Sequence, residues 1–310
     1  MHPAFSILFF TTLAGAAQGL VVALALALLA GVAMDASFLL QALALGELLL
    51  IAGLGASFLH LGHKMRAWRA VLMWRTSWMS REVIVLPAFI GLVGAWWLSL
   101  WLGVTGVWAQ ALPLLVVLGA LLLWYCTAMI YACLRFIQEW AHWLTVANFT
   151  LIGLSSGSML ACALAALANQ NALLQVLAPW ATEITLLAGL ARWASLRRNA
   201  DLRAISTLQS ATGIKAPKLV QKSMGMSAGA FNTREFFHGA SQVVVRNLRW
   251  GFSLGLFVLP LVLAWWASSN AALWPWVLAS VLQAPSLIAE RWVFFAQAKH
   301  PQNLYYQTVG

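Results

Sequence analysis

The chain has 310 residues, of which 62% are hydrophobic and 8% are charged, and its formal net charge is +10. Together with a mean hydropathy of +0.83, this composition excludes a water-soluble domain of this length. It predicts an integral membrane protein that crosses the bilayer several times. The apolar runs are continuous rather than alternating, which favours helices over strands.

Eight segments are long and apolar enough to be spanning helices, which need about 20 apolar residues each. The first has no basic leader or Ala-x-Ala-like cleavage site, so we expect it to be retained. The fifth is the most polar, but its small and hydroxyl residues suit close packing between helices. We therefore predict an all-α bundle with spans near residues 5–31, 38–60, 83–103, 111–133, 144–168, 174–194, 250–268 and 272–295.

Lysine and arginine are distributed asymmetrically between the two membrane faces. With eight spans, both termini and the connectors after spans two, four and six share one side. All 18 basic residues lie on that side, and the opposite loops carry only Asp35 as a charged residue. Because cytoplasmic loops are enriched in lysine and arginine, we predict that this side and both termini are cytoplasmic.

The connector at 195–249 is the one sizeable segment predicted outside the membrane. It is too polar to span and too short to form a catalytic domain. Its basic charge suits a surface that docks a partner, and it equally suits a loop attracted to anionic lipid.

The loop after span two carries the most suggestive polar groups. His60 and His63 lie one turn apart, on roughly the same face if the helix continues that far. A neutral imidazole there can hydrogen-bond a quinone carbonyl and supply a proton as the quinone is reduced. Arg66 can fix the second carbonyl or its developing charge. In the alternative interpretation, His60 caps the helix and the arginines anchor lipid headgroups.

Glu290 and Arg291, followed by Phe294 and Phe295, end span eight at the same depth as His60. An acid, a guanidinium and aromatic rings suit the flat, mostly apolar slot that a quinone head needs. The same residues equally suit an intramolecular ion pair within an aromatic belt.

Two carboxylates, Glu47 and Glu183, lie deep in spans two and six. Such groups are either protonated and hydrogen-bonded or part of a proton path. A protein of another class, a stand-alone transporter, would use them as a central carboxylate pair.

Bound metal is not favoured by the sequence. Haem b would need His60 or His63 to face His142, and none of the three lies in the middle of a span. The three cysteines lie within apolar segments and cannot supply the four ligands of an iron–sulfur cluster.

The chain contains the short motifs His60-Leu61-Gly62, Met65-Arg66-Ala67, Ser80-x-Glu82 and Glu290-Arg291-x-x-Phe294-Phe295. Together they resemble the membrane anchor subunits of the dimethyl sulfoxide reductase class of molybdenum enzymes. Residues 1–6, 232–239 and 290–296 are most similar to the anchors of membrane-bound sulfite dehydrogenases of the Soe type, and the resemblance extends over essentially the whole chain.

The resemblance implies a three-subunit complex in the bacterial inner membrane. A large subunit would carry a molybdenum bis-pterin cofactor, and a ferredoxin-like subunit would carry four iron–sulfur clusters. This chain would anchor both and exchange electrons with ubiquinone or menaquinone at a site that includes the histidine of the His-Leu-Gly motif, here His60. The basic and aromatic residues expected at the partner interface are Arg69, Arg75, Arg234, Phe236 and Phe237.

The resemblance and the charge distribution together favour sulfite oxidation. Electrons hop only over short distances, so the quinone loop and the iron–sulfur subunit must share a side, and that side is the basic one. We therefore predict a quinone-reducing anchor of a sulfite dehydrogenase whose catalytic subunits face the cytoplasm. The alternatives are an anchor of a dimethyl sulfoxide reductase-type complex that oxidises quinol, and the stand-alone transporter.

Overall fold

The computed structural model describes residues 3–59, 61–220, 222 and 238–301, which form a bundle of long helices. A 3₁₀ segment, Lys64–Met73, follows the second helix, and a π-helical turn, Leu254–Val258, joins the eighth to the ninth without a break. The α-helices are α1 (Phe5–Leu29), α2 (Ala36–Leu59), α3 (Trp78–Trp101), α4 (Val107–Ala132), α5 (Trp143–Leu167), α6 (Asn171–Ala200), α7 (Leu208–Thr212), α8 (Gln242–Ser253), α9 (Leu259–Asn270) and α10 (Trp274–Ala296).

Seven helices in the described part of the chain are long and apolar enough to cross a membrane. They are α1 to α6 and the continuous helix Gln242–Asn270, which comprises α8, the π-helical turn and α9. The helical membrane class is thereby confirmed. The remaining long helix, α10, has 23 residues but is less apolar, because it carries Gln283, Glu290 and Arg291 on its buried face. An eighth span therefore stays a prediction.

Two helices, α1 and α5, occupy the centre of the bundle and are its most buried spans. Glycines let their backbones come close together at the crossing. A Cβ atom added at Gly19 would lie 2.0 Å from the carbonyl oxygen of Gly153, and one at Gly157 would lie 2.1 Å from the carbonyl carbon of Gly19. The small residues noted in the fifth predicted span thus serve helix packing, as in other membrane bundles.

The two ends of the bundle differ in charge. At one end, here called the basic end, residues 61–77, 133–142, 201–220 and 297–301 lie outside the long helices. Arg198 donates to the backbone oxygen of Gln138 at 3.1 Å, and the backbone N–H of Lys299 donates to Glu139 at 3.4 Å.

At the opposite end, residues 30–35, 102–106, 168–170 and 271–273 contain no lysine or arginine. Here Gln170 and Asp35 hydrogen-bond across the two loops that follow α1 and α5.

Two sequence expectations differ from the structure. The helix of span two is described as far as Leu59, and Gly62 and His63 form a turn. The helix therefore does not continue to His63, which was the condition for a face shared by the two histidines. The connector predicted at 195–249 is shorter, because α6 continues to Ala200 and α8 already begins at Gln242.

Candidate functional site

A buried ion-pair cluster lies on the basic side of the bundle, between α6 and α10. Glu290 contacts two guanidinium groups: its Oε1 lies 2.8 Å from Arg192 Nε, and its Oε2 lies 2.9 Å from Arg291 Nε. The side chains of Arg192, Glu290 and Arg291 are only 2%, 1% and 5% exposed. Two cations and one anion leave this cluster with a formal charge of +1.

The cluster is held by charge rather than by well-aligned hydrogen bonds. Although both contacts are short, Arg192 Nε and the two Glu290 oxygens make no hydrogen bond with acceptable angles. In a low-dielectric interior the attraction persists without ideal alignment, because the charges are poorly screened. Glu290 lies six residues, or about 9 Å, before the end of α10, so the cluster is set back from the helix ends.

Aromatic rings surround both guanidinium groups. The Arg291 guanidinium lies 3.9 Å from the ring centre of Phe149 and 5.2 Å from that of Phe294, and Arg192 lies 5.6 Å from that of Phe252. Such cation–π contacts stabilise a cation that has lost its water. The sequence analysis named the acid, the arginine and the aromatics of α10, and an intramolecular ion pair among them was one of its two interpretations. It did not name Arg192, although a basic residue within predicted span six, 174–194, was a signal for a buried charge.

A second buried polar pair joins α3 to α4. The hydroxyl of Thr127 donates to Glu82 Oε1, and both residues are 7% exposed. Glu82 lies four residues after the start of α3, on the basic side of the bundle. It entered the sequence analysis only as part of a motif, because the predicted third span, 83–103, begins one residue after it.

The loop after α2 is exposed. His63 and Arg66 both face outward, and no residue of Lys64–Met73 is buried. The apolar side chains here are also uncovered, with Met65 91% and Trp68 63% exposed. His60 lies outside the described residues, as do Arg234, Phe236 and Phe237.

Arginines of this loop associate with its tryptophans. Arg69 lies 5.7 Å from the ring centre of Trp68, and Arg75 lies 5.5 Å from that of Trp74. Arg81, at the start of α3, fixes the end of the loop by donating to the backbone oxygens of Trp74 and Arg75 at 2.9 and 2.8 Å.

The two deep carboxylates lie in different parts of the bundle. Glu47 of α2 faces α3, where a Cβ atom at Gly94 would lie 3.5 Å from its Oε1. Glu183 is exposed on the outer surface of α6. Because α2 packs against α1 and α3 whereas α6 packs against α5 and α9, the structure does not bring the two together.

His142 caps the start of α5. Its Nδ1 accepts the backbone N–H of Leu144 at 3.2 Å, so the neutral ring carries its proton on Nε2. Burial and the positive charge of Arg198 lower the pKa of His142 below its ordinary value of 6.5. Within the described residues, no cluster of three or more His, Cys, Asp or Glu side chains could hold a metal ion.

The cavities differ in size between the interior and the surface. Beside Arg291, in the interior, lies a cavity of about 20 Å³, which is the size of a water molecule. Larger grooves of about 650 and 640 Å³ open at the basic end, one beside Glu139 and Lys299 and one beside Tyr125 and His142. These surface grooves match the ~300–1,000 Å³ of usual ligand pockets, whereas the interior cavity does not.

A bundle of long apolar helices with one basic end and buried charges near that end defines a polytopic helical membrane protein. The chain belongs to the family of DMSO reductase anchor subunits (DmsC), whose model matches residues 1–228. The matched part includes Glu82 and Arg192 but not Glu290 or Arg291.

A relative extends this similarity to the whole chain. The chain is 46% identical to a sulfite dehydrogenase subunit of Allochromatium vinosum over 335 aligned positions, which cover 100% of both proteins.

Proposed function

We propose that this chain is the membrane anchor of a sulfite dehydrogenase and passes electrons from an iron–sulfur subunit to quinone. The observation that carries the proposal is the 46% identity, over the full length of both chains, to a protein named as a subunit of a sulfite dehydrogenase. Sulfite oxidation takes place in a molybdenum subunit. This chain contributes anchoring, the quinone site and the route for protons.

The quinone head binds at the loop after α2. His60 and His63 donate hydrogen bonds and protons to the ring oxygens, and Arg66 stabilises the negative charge that develops there. The exposure of His63 and Arg66 supports this assignment, because both can reach a ligand that arrives from the bilayer surface.

Glu290 and Arg291 act from the protein side of the quinone site. The cavity beside Arg291 has room for a water molecule and not for a ring. The +1 charge of their cluster with Arg192 lies in poorly screened surroundings. Such a positive charge favours the arrival of an electron on the quinone.

The partner subunits dock on the basic end, which faces the cytoplasm. The exposed Arg69 and Arg75 belong to the docking surface, together with Arg234, Phe236 and Phe237. Uncovered apolar side chains beside them, Met65 and Trp68, support a surface that another protein or the lipid interface covers.

Protons for the quinone come from the same side as the electrons, so turnover moves no net charge across the membrane. Proteoliposomes given sulfite should therefore develop no membrane potential. Charge movement upon sulfite addition would contradict this part of the proposal.

The site is tested with His60→Ala in the purified complex. Quinone-linked sulfite oxidation should be abolished, whereas oxidation with an artificial acceptor should persist because the molybdenum subunit is unaffected. His142→Asn is the control, since it alters another histidine of the basic end while keeping an oxygen to cap α5. If quinone-linked turnover survives in His60→Ala, the site assignment fails.

The two alternative functions predict different measurements. An anchor of a dimethyl sulfoxide reductase-type complex would oxidise quinol and show sulfoxide-dependent, not sulfite-dependent, turnover. A stand-alone transporter would purify without molybdenum and iron, and it would depend on Glu47 and Glu183. Metal analysis of the affinity-purified chain therefore distinguishes a transporter from the proposed complex.

A further inference from the structure

A small polar cavity lies where α1, α4, α5 and α10 meet. Its volume of about 20 Å³ suffices for one water molecule. Gln18, Trp124, Thr127, Ser156 and Arg291 are among its lining residues. The cavity lies next to the ion-pair cluster but takes no part in the proposed quinone chemistry.

Three polar atoms of the lining side chains have no hydrogen-bond partner within the protein. They are Gln18 Oε1, Trp124 Nε1 and Arg291 Nη1, on residues that are 2%, 1% and 4% exposed. The orientation of the Gln18 amide is set, because its Nε2 donates to the backbone oxygen of Ala14 at 3.0 Å. Two donors and one acceptor, on side chains from three helices that line the cavity, thus lack a partner.

The hydroxyl groups of the lining can act only as acceptors towards the cavity. Thr12 donates its proton to the backbone oxygen of Leu8 at 2.8 Å, and Ser156 donates to that of Ile152 at 2.9 Å. Thr127 donates to Glu82. Each of these oxygens keeps lone pairs that can accept a further hydrogen bond.

This pattern of hydrogen-bond donors and acceptors determines which kind of molecule can occupy the cavity. An anion accepts hydrogen bonds only, so it would be repelled by the amide oxygen of Gln18. A cation would be repelled by Arg291. A neutral molecule that both accepts and donates satisfies every group, and at this volume that molecule is water.

We propose that this cavity is the binding site of one internal water molecule that joins α1, α4 and α10. The water accepts hydrogen bonds from Trp124 Nε1 and Arg291 Nη1, and it donates to Gln18 Oε1 and to the hydroxyl oxygen of Thr127. It thereby connects the Glu82–Thr127 pair to Arg291 and the ion-pair cluster. The buried polar groups then form one continuous network from α3 to α6.

A cryo-EM map of the complex in lipid nanodiscs, at a resolution that shows ordered water, tests the site directly. Density is expected within hydrogen-bonding distance of both Trp124 Nε1 and Arg291 Nη1. An empty cavity would overturn the proposal, and so would a rotated Gln18 that accepts directly from Trp124.

The sign of a stability change gives a second test. If the water is present, Gln18→Met removes one of its acceptors and lowers the melting temperature of the complex. If the cavity is dry, the same change removes a buried oxygen without a partner and raises the melting temperature.

Ser158→Ala is the matched control. It removes a buried hydroxyl of α5 that bonds to Ser155 and does not line the cavity. The water density should persist in this variant. If Gln18→Met proves too unstable to purify, the map of the unaltered complex still shows whether the cavity contains the water molecule.

Discussion

At the scale of single residues, Glu290 is the most buried charged residue in the described part of the chain. It lies between two arginines, one next to it on α10 and one from α6, and all three are almost fully buried. A buried carboxylate flanked by two guanidinium groups offsets much of their mutual repulsion. Removing the anion should therefore lower the free energy of unfolding far more than removing one cation.

Glu290→Gln should destabilise the protein by about 3–5 kcal/mol, because it leaves two neighbouring cations without a counter-charge. Arg192→Met should destabilise the protein much less, since Glu290 and Arg291 remain as a neutral pair. Thermal unfolding of the detergent-purified complex measures both changes. Equal losses for the two variants would show that Arg192 and Arg291 do not share Glu290 as their counter-charge.

His142 should make the start of α5 sensitive to acid. Its lowered pKa means that the unfolded segment binds a proton more readily than the folded one. The stability gained from the neutral ring is thus present above about pH 6.5 and is lost as the pH falls below it. Protonation of Nδ1 also removes the acceptor for Leu144, a cap that is usually worth about 1 kcal/mol.

Hydrogen exchange of the peptide that contains Leu144, corrected for the intrinsic pH dependence, should therefore speed up between pH 7.5 and pH 5.5. His142→Asn keeps a capping oxygen that does not titrate in this range, so its corrected rate should stay constant. A pH-dependent corrected rate in His142→Asn would assign the effect to another group.

At the scale of helices, the crossing of α1 and α5 organises the bundle. Small residues in the fifth segment predicted close packing, and the structure shows that the partner is α1. The close approach depends on Gly19 in α1 and on Gly153 and Gly157 in α5, where an added Cβ would lie within 3.0 Å of neighbouring atoms. Two backbones this close gain dispersion contacts that larger side chains would prevent.

Gly157→Ala should force α1 and α5 apart, because the new Cβ would lie 2.1 Å from the carbonyl carbon of Gly19 and from the backbone nitrogen of Leu20. We expect a clear fall in the melting temperature and in the yield of assembled complex. Gly91→Ala in α3 is the matched control, since a Cβ there meets nothing within 4 Å. That change should be neutral or slightly stabilising, as alanine favours helices by about 1 kcal/mol over glycine. Similar losses in both variants would contradict the packing explanation.

At the scale of the whole molecule, charge separates the two ends of the bundle. Lysine and arginine are absent from residues 30–35, 102–106, 168–170 and 271–273, while the loops of the other end carry many. Because cytoplasmic loops are enriched in lysine and arginine, this asymmetry predicts that the basic end faces the cytoplasm. The same asymmetry predicts the positions of both termini.

Cysteine labelling tests this orientation and the eighth span together. With Cys133→Ser as background, a membrane-impermeant maleimide applied to spheroplasts should label Asp35→Cys. It should label Ser206→Cys and Lys299→Cys only after the membrane is permeabilised. Labelling of Lys299→Cys alone in intact spheroplasts would show that α10 does not cross, and labelling of Ser206→Cys would reverse the whole orientation.

The sequence by itself determined the membrane class, the positions of the long helices and the charge difference between their ends. These properties follow from local runs of apolar residues and from the linear placement of lysine and arginine, so they need no knowledge of packing. Helix ends were predicted less well, as at the end of α6 and the start of α8, because polar residues near a span can either extend the helix or leave it.

Only the tertiary structure decided which polar groups meet. Glu290 pairs with Arg192 from α6, and Thr127 bonds to Glu82 across 45 positions of sequence. Such pairs depend on how helices rotate and cross, and at the centre of this bundle the glycines of α1 and α5 set that geometry. In an apolar interior, a polar side chain takes the partner that packing brings within reach, and sequence distance says nothing about which one that is.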